Sequence, residues 1–68
     1  MNDEIFNLQL RKFLKKVGVG SQSAIENAVR DALASGRISG NEVLKARMVL
    51  TIEEIGLKHE VEGEIALS

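Results

Sequence analysis

The stretch VLKARMVLTIEEIGLKHEVEGEIAL, residues 43–67, decides the fold, because apolar and polar residues alternate along it in two separate runs. A period of two is typical of a β-strand that buries one face. The segment Glu53–Gly56 interrupts the alternation and ends in a glycine that suits a turn. We therefore predict strands over about 43–53 and 57–67, joined as a long antiparallel hairpin. A helix from Glu42 to Met48 is the competing interpretation.

The register of this hairpin follows from requiring both apolar sets to lie on one face. A four-residue loop at 53–56 meets this requirement. On the polar face it places Arg47 opposite Glu62 and Lys45 opposite Glu64, and each such pair contributes roughly 0.2–1 kcal/mol. A shift by two residues would keep the faces but change the partners. The predicted apolar-face pairs are Ile52–Leu57, Leu50–His59, Met48–Val61, Ala46–Gly63 and Leu44–Ile65.

Residues before the hairpin repeat with the period of a helix rather than a strand. We predict helix 1 over about 3–17, capped by Asn2 or Asp3 and ended by Gly18. We predict helix 2 over about 23–35, started by a capping box from Ser23 to Glu26, with Ser21 as the alternative cap, and ended by Gly36. The apolar positions of the two helices are Phe6, Leu10, Phe13, Leu14, Val17, Ile25, Ala28, Val29, Ala32 and Leu33.

The order of these elements predicts an α+β fold, α-α-β-β. Gly18-Val19-Gly20 would connect an αα-hairpin, and both helices would pack on one face of the β-hairpin. The shallow Ala46–Gly63 pair would let a helix approach closely. The core that we expect consists of Phe6, Leu10, Phe13, Leu14, Val17, Ile25, Val29, Leu33, Leu50, Ile52, Leu57, Val61 and Ile65.

The length of 68 residues predicts a single domain, residues 1–68, with a small core. No cysteine is present to stabilise this core through a disulfide bond, so self-association is the common means of stabilisation that remains.

The lack of cysteine, of a basic leader and of an apolar run that could cross a bilayer favours a cytoplasmic protein. Charge is uneven: residues 1–20 carry four cations and two acids, whereas residues 42–68 carry three cations and six acids.

No arrangement of residues predicts an enzyme, a metal site or a cofactor. His59 is the only imidazole, and no nucleophile or carboxylate is placed by sequence to work with it, so we interpret it as a packing residue. Glu60, Glu62 and Glu64 splay along a strand instead of converging on an ion. Gly18-Val19-Gly20 follows a helix, which excludes a phosphate loop of the usual kind.

Nucleic-acid binding is the alternative function that the sequence leaves open. Residues 14–29, LKKVGVGSQSAIENAV, resemble a DNA-binding helix-turn-helix in their spacing. Gly20 adds a residue to the usual turn, and Leu14 stands where that motif prefers a small side chain, so a plain αα-hairpin is favoured. In this alternative, helices 1 and 2 would contact phosphates through Arg11, Lys12, Lys15, Lys16 and Arg30.

Two segments, RKFLKKVGV at residues 11–19 and ARMVLTIEEIGLKHEVEGEIAL at residues 46–67, resemble a family of similarly short bacterial proteins known only as a domain of unknown function. The resemblance covers nearly the whole chain. It implies a stand-alone bacterial domain and carries no catalytic signature.

Together these features predict a non-enzymatic protein-interaction module. We expect a homo-oligomer, most simply a homodimer, that forms by pairing the edges of the β-hairpin. A different protein could add a strand to the same edges. Nucleic acid is a less favoured partner, and we expect no membrane partner.

Overall fold

The computed structural model describes all 68 residues and has one helix followed by a two-stranded hairpin. Helix α1 spans Asp3–Ala34, strand β1 spans Val43–Ile52 and strand β2 spans Leu57–Ala66, with a short 3-10 turn at Glu53–Ile55 between the strands. The α+β class is therefore confirmed. The chain forms two compact units, Met1–Arg37 and Ile38–Ser68.

The prediction of two helices, over about 3–17 and 23–35, is wrong because α1 runs through Gly18-Val19-Gly20 without a break. The two predicted apolar stripes are in phase, because Val17, Ser21, Ala24 and Ala28 follow one another at steps of four, three and four residues and so share one face. Each interior glycine costs about 1 kcal/mol relative to alanine. A break would instead leave helix-end N–H and C=O groups without partners.

Both ends of α1 are capped as the sequence predicts. The Asn2 side-chain oxygen accepts a hydrogen bond of 3.0 Å from the Ile5 N–H. At the other end, Gly36 has φ +77°, its N–H donates to the Leu33 C=O, and the Arg37 N–H donates to the Ala32 C=O. These two bonds form a Schellman motif, which satisfies the last carbonyl groups of the helix. The helix therefore begins and ends where the chain supplies partners for its unpaired backbone groups.

The β-hairpin has the predicted register, from Val43–Ala66 at the open end to Ile52–Leu57 at the turn. Each strand ends one residue earlier than predicted. Gly56 has φ +64°, the left-handed conformation that the four-residue loop requires, and its N–H donates to the Glu53 C=O. The competing interpretation, a helix from Glu42 to Met48, is wrong because these residues lead into and form β1.

The predicted core is not buried within the single chain. None of the 68 residues is buried, and large apolar side chains such as Phe6, Phe13 and Val61 stay about half exposed. The amphipathic pattern of the sequence therefore produces an exposed apolar face on each of the two units.

Candidate interaction surfaces

The apolar face of α1 is one continuous stripe along the helix. Its side chains recur at intervals of three or four residues, which places them on the same side of the helix. Phe6 is 49% exposed and Phe13 is 50% exposed, so the stripe is accessible to a partner. We define the apolar face of α1 as Phe6, Leu10, Phe13, Leu14, Val17, Ser21, Ala24, Ile25, Ala28, Val29 and Ala32.

A basic cluster, Arg11, Lys12, Lys15 and Lys16, is exposed on α1, with the three lysines on the side opposite the apolar face and Arg11 at the border of that face. Arg30 lies further along the same side but forms an ion pair of 3.7 Å with Glu26. Because α1 is a single helix, the sequence does not form the separate recognition helix that a helix-turn-helix needs. The five residues proposed for nucleic acid thus lie on one helix, and only four of them form a cluster.

The hairpin also has an apolar face, which confirms the predicted assignment of side chains to faces. Leu44, Ala46, Leu50 and Ile65 are half-buried there, whereas Met48 and Val61 are exposed. A concavity of about 440 Å³ at the Ala46–Gly63 pair is lined by these two residues together with four charged residues of the polar face, Lys45, Arg47, Glu62 and Glu64. A Cβ added at Gly63 would meet nothing within 4 Å, so space at this pair is open.

The polar face of the hairpin places opposite charges across the two strands. Lys45 pairs with Glu64 and Arg47 pairs with Glu62 in the register, yet neither pair approaches within ion-pair distance. No group of His, Asp and Glu side chains is arranged to hold a metal ion. The acidic residues of β2 thus line a charged surface rather than a coordination site.

Both edges of the two-stranded sheet are open. The Leu67 N–H donates to the Glu42 C=O over 3.1 Å, and hydrogen-bonded pairs alternate from this pair onward. The pairs an odd number of positions from Glu42–Leu67 are the non-hydrogen-bonded ones, and their residues direct their backbone N–H and C=O groups away from the other strand. On β1 the outward groups belong to Val43, Lys45, Arg47, Val49 and Thr51, and on β2 they belong to Lys58, Glu60, Glu62, Glu64 and Ala66.

His59 pairs with Leu50 on the apolar face of the hairpin, in the position that the register predicts. Its side chain is exposed and makes no hydrogen bond or ion pair within the chain. It therefore has no neighbouring group that would orient it for acid–base chemistry.

Glu42 organises the segment that leads into β1, a role that the sequence analysis missed. Its carboxylate accepts hydrogen bonds from the Ser39 N–H at 2.8 Å, the Gly40 N–H at 2.9 Å and the Ser39 hydroxyl at 3.1 Å. The hydrogen bond from the Ser39 N–H has the largest effect on the pKa of this carboxyl, and the bond from the Gly40 N–H has the next largest. Together they lower the pKa from 4.5 to about 2. The Ser39-Gly40-Asn41-Glu42 run was the available signal, because short polar residues and glycine before a strand favour local side-chain capping.

Helix α1 is not apolar enough along its length to cross a lipid bilayer. No curated protein and no solved structure matches the chain. The family of unknown function DUF6494 matches residues 1–68, which is the full length of the sequence. This match confirms the resemblance drawn from residues 11–19 and 46–67: the chain belongs to DUF6494, a family of unknown function.

Proposed function

We propose that this chain is a non-enzymatic interaction module that self-associates, with the open edges of its hairpin among the contacts. The observation that carries the proposal is that no residue of the single chain is buried, although 44% of the residues are apolar. Burial of apolar surface is the dominant favourable term in folding. A second copy would supply the burial that the single chain lacks.

The two units would each be marginal alone. Most of the stability of a helix in a protein comes from packing its apolar face, and an isolated two-stranded hairpin is marginal in water. Burying apolar surface contributes about 25 cal/mol per Å². The apolar face of α1 and the apolar face of the hairpin are therefore the surfaces that association would stabilise most.

Charge indicates which hairpin edges could meet. The outward residues of β1 include Lys45 and Arg47, whereas those of β2 include Glu60, Glu62 and Glu64. Like charges directly opposite one another are destabilising across strands. Contact of β1 in one copy with β2 in another would therefore be favoured over contact between identical edges.

Size-exclusion chromatography with light scattering tests self-association. We expect a mass of at least twice 7.4 kDa at micromolar and higher concentrations. A monomer at high concentration would refute the proposal and leave strand addition by a different protein as the explanation for the open edges.

A proline at an edge tests the contribution of hairpin edges. Because Val49 directs its N–H away from β2, Val49→Pro removes no bond within the hairpin but removes a donor that an added strand would use. We expect Val49→Pro to form smaller assemblies than Val49→Thr, the matched control, in light scattering. Equal masses for the two variants would exclude the β1 edge as a contact.

Nucleic-acid binding is a second candidate, favoured by the four exposed cations of the basic cluster. Neutralising two of these cations, as Lys15→Gln and Lys16→Gln, would weaken binding to duplex DNA and reduce its dependence on salt. Gel-shift measurements at low salt with long duplex DNA test this candidate, and the absence of any shift would exclude it.

A further inference from the structure

We infer that two copies of α1 pair antiparallel through their apolar faces, about a two-fold axis near Ser21. The inference rests on the proposed self-association and adds to it the contact surface, the partner and the orientation. It concerns α1 alone and depends on four features of that helix: the continuity of the apolar face, the distribution of side-chain sizes, the distribution of charge and the two glycines near its centre.

Continuity makes the face long enough for a stable helix pair. From Phe6 to Ala32 the apolar face extends about 39 Å, at 1.5 Å per residue. Stable protein interfaces bury on the order of 1,200 Å² or more. A helix pair centred on Ser21 overlaps over residues 8–34, also about 39 Å, and covers every position of the stripe except Phe6.

Side-chain size differs between the two halves of the face. The N-terminal half holds Phe and Leu side chains, whereas the C-terminal half contains Ala24, Ala28 and Ala32. An antiparallel pair centred on Ser21 places the large residues Leu10, Phe13 and Leu14 against smaller ones, which favours close packing without voids. A parallel pair would place Phe against Phe and Ala against Ala. The antiparallel partners would be Leu10–Ala32, Leu14–Ala28 and Val17–Ile25.

Net charge also differs between the N-terminal and C-terminal halves of α1. Residues 5–20 carry the four cations of the basic cluster and no acid, for a net charge of +4. Residues 21–34 carry Glu26 and Asp31 against Arg30, for a net charge of −1. Most of these charges lie on the side of α1 away from the apolar face, so they act across the pair at long range and are screened by salt. Parallel pairing would set two +4 segments side by side, whereas antiparallel pairing sets each +4 segment beside a −1 segment. Antiparallel pairing also opposes the two helix dipoles favourably.

The centre of the pair would lie where the helix is narrowest. Gly18 and Gly20 flank Ser21, and a Cβ added at either glycine would meet nothing within 4 Å in the single chain. Packing inside the chain therefore does not require these glycines, although each lowers helix stability by about 1 kcal/mol. Close approach of a second helix would account for them.

Cysteine cross-linking of the full chain tests the orientation, because the natural sequence contains no cysteine. Leu14→Cys and Ala28→Cys would be prepared separately, one with a mass tag, then mixed, re-equilibrated and oxidised. A disulfide needs Cα atoms within about 7 Å, so it reports direct apposition. Val17→Cys with Ile25→Cys provides a second pair if the first pair fails to fold, and Lys12→Cys on the opposite side of α1 is the control.

We expect disulfide dimers in the mixed samples, and none when Leu14→Cys, Ala28→Cys or Lys12→Cys is oxidised alone. Efficient cross-linking of Leu14→Cys alone would indicate parallel pairing and overturn the inference. An oligomer in light scattering that cross-links in neither mixed pair would also overturn it, while leaving self-association intact. A monomer would overturn both, and binding of that monomer to anionic lipid vesicles would assign the apolar face to a membrane surface instead.

Discussion

Individual side chains at the ends of the helix and strands satisfy backbone groups that regular structure leaves unpaired. Asn2 accepts the Ile5 N–H at the start of α1, and Glu42 accepts two backbone N–H groups before β1. Gly56 supplies a left-handed conformation in the turn between the strands. These local interactions do not depend on burial, which explains why they form in a chain that has no buried residue.

Glu42 should make stability depend on pH in a defined range. Its pKa is lowered from 4.5 to about 2, so its hydrogen bonds contribute stability above pH 4.5 that is lost as the pH falls towards 2. We expect Glu42→Gln to be less stable than the natural chain near neutral pH, and this difference should shrink across that range. Thermal unfolding of both chains between pH 7 and pH 2 measures it. A difference that does not change with pH would show that the carboxylate charge is not involved.

Gly56 and Gly63 form a matched pair for testing the turn. A Cβ added at either position would meet nothing within 4 Å, but only Gly56 has a positive φ. We expect Gly56→Ala to destabilise the protein by about 1–2 kcal/mol, because alanine is strained in the left-handed conformation. Gly63→Ala should be neutral or stabilising in the hairpin, since glycine weakens a strand interior. Chemical denaturation measures both, and equal effects would contradict the assigned role of φ at Gly56.

At the scale of elements, the hairpin was predicted in detail and the helical region was not. Alternation between Val43 and Leu67 specifies both the faces and, with a four-residue loop, the register, because a one-residue slip would move every apolar side chain to the wrong face. The sequence predicts two helices because Gly18 and Gly20 are typical of a helix end. The apolar stripe keeps its phase from Val17 to Ser21, however, and the helix continues through the two glycines.

Val19→Pro distinguishes a continuous helix from an αα-hairpin. Within a helix, proline removes one hydrogen bond and clashes with the preceding turn, at a cost of about 3 kcal/mol or more. We therefore expect a large loss of stability and of helical circular dichroism, whereas Val19→Ala should preserve or raise both. A Val19→Pro protein as stable as the natural chain would mean that residues 18–20 form a turn.

For the whole molecule, self-association predicts that stability depends on concentration. Anything that binds the folded chain and not the unfolded chain raises its stability by mass action, and this includes a second copy. We expect Tm to rise with chain concentration, and Leu10→Glu on the apolar face of α1 to lower Tm and abolish the rise. Lys12→Glu changes the opposite side of the helix and is the control. A Tm independent of concentration in the natural chain would contradict self-association.

Periodicity and turn chemistry along the chain were enough to predict the α+β class, the strand pairing and the ends of the helical region, because each depends on residues close in sequence or related by a short loop. Whether Gly18-Val19-Gly20 turns or continues as helix was decided only in the folded structure, where one unbroken hydrogen-bonded ladder competes with two shorter ones. Whether the apolar side chains are buried was also decided only in the folded structure. An alternating pattern shows which side chains share a face, but burial of that face depends on what lies against it, and no residue of the single chain is buried.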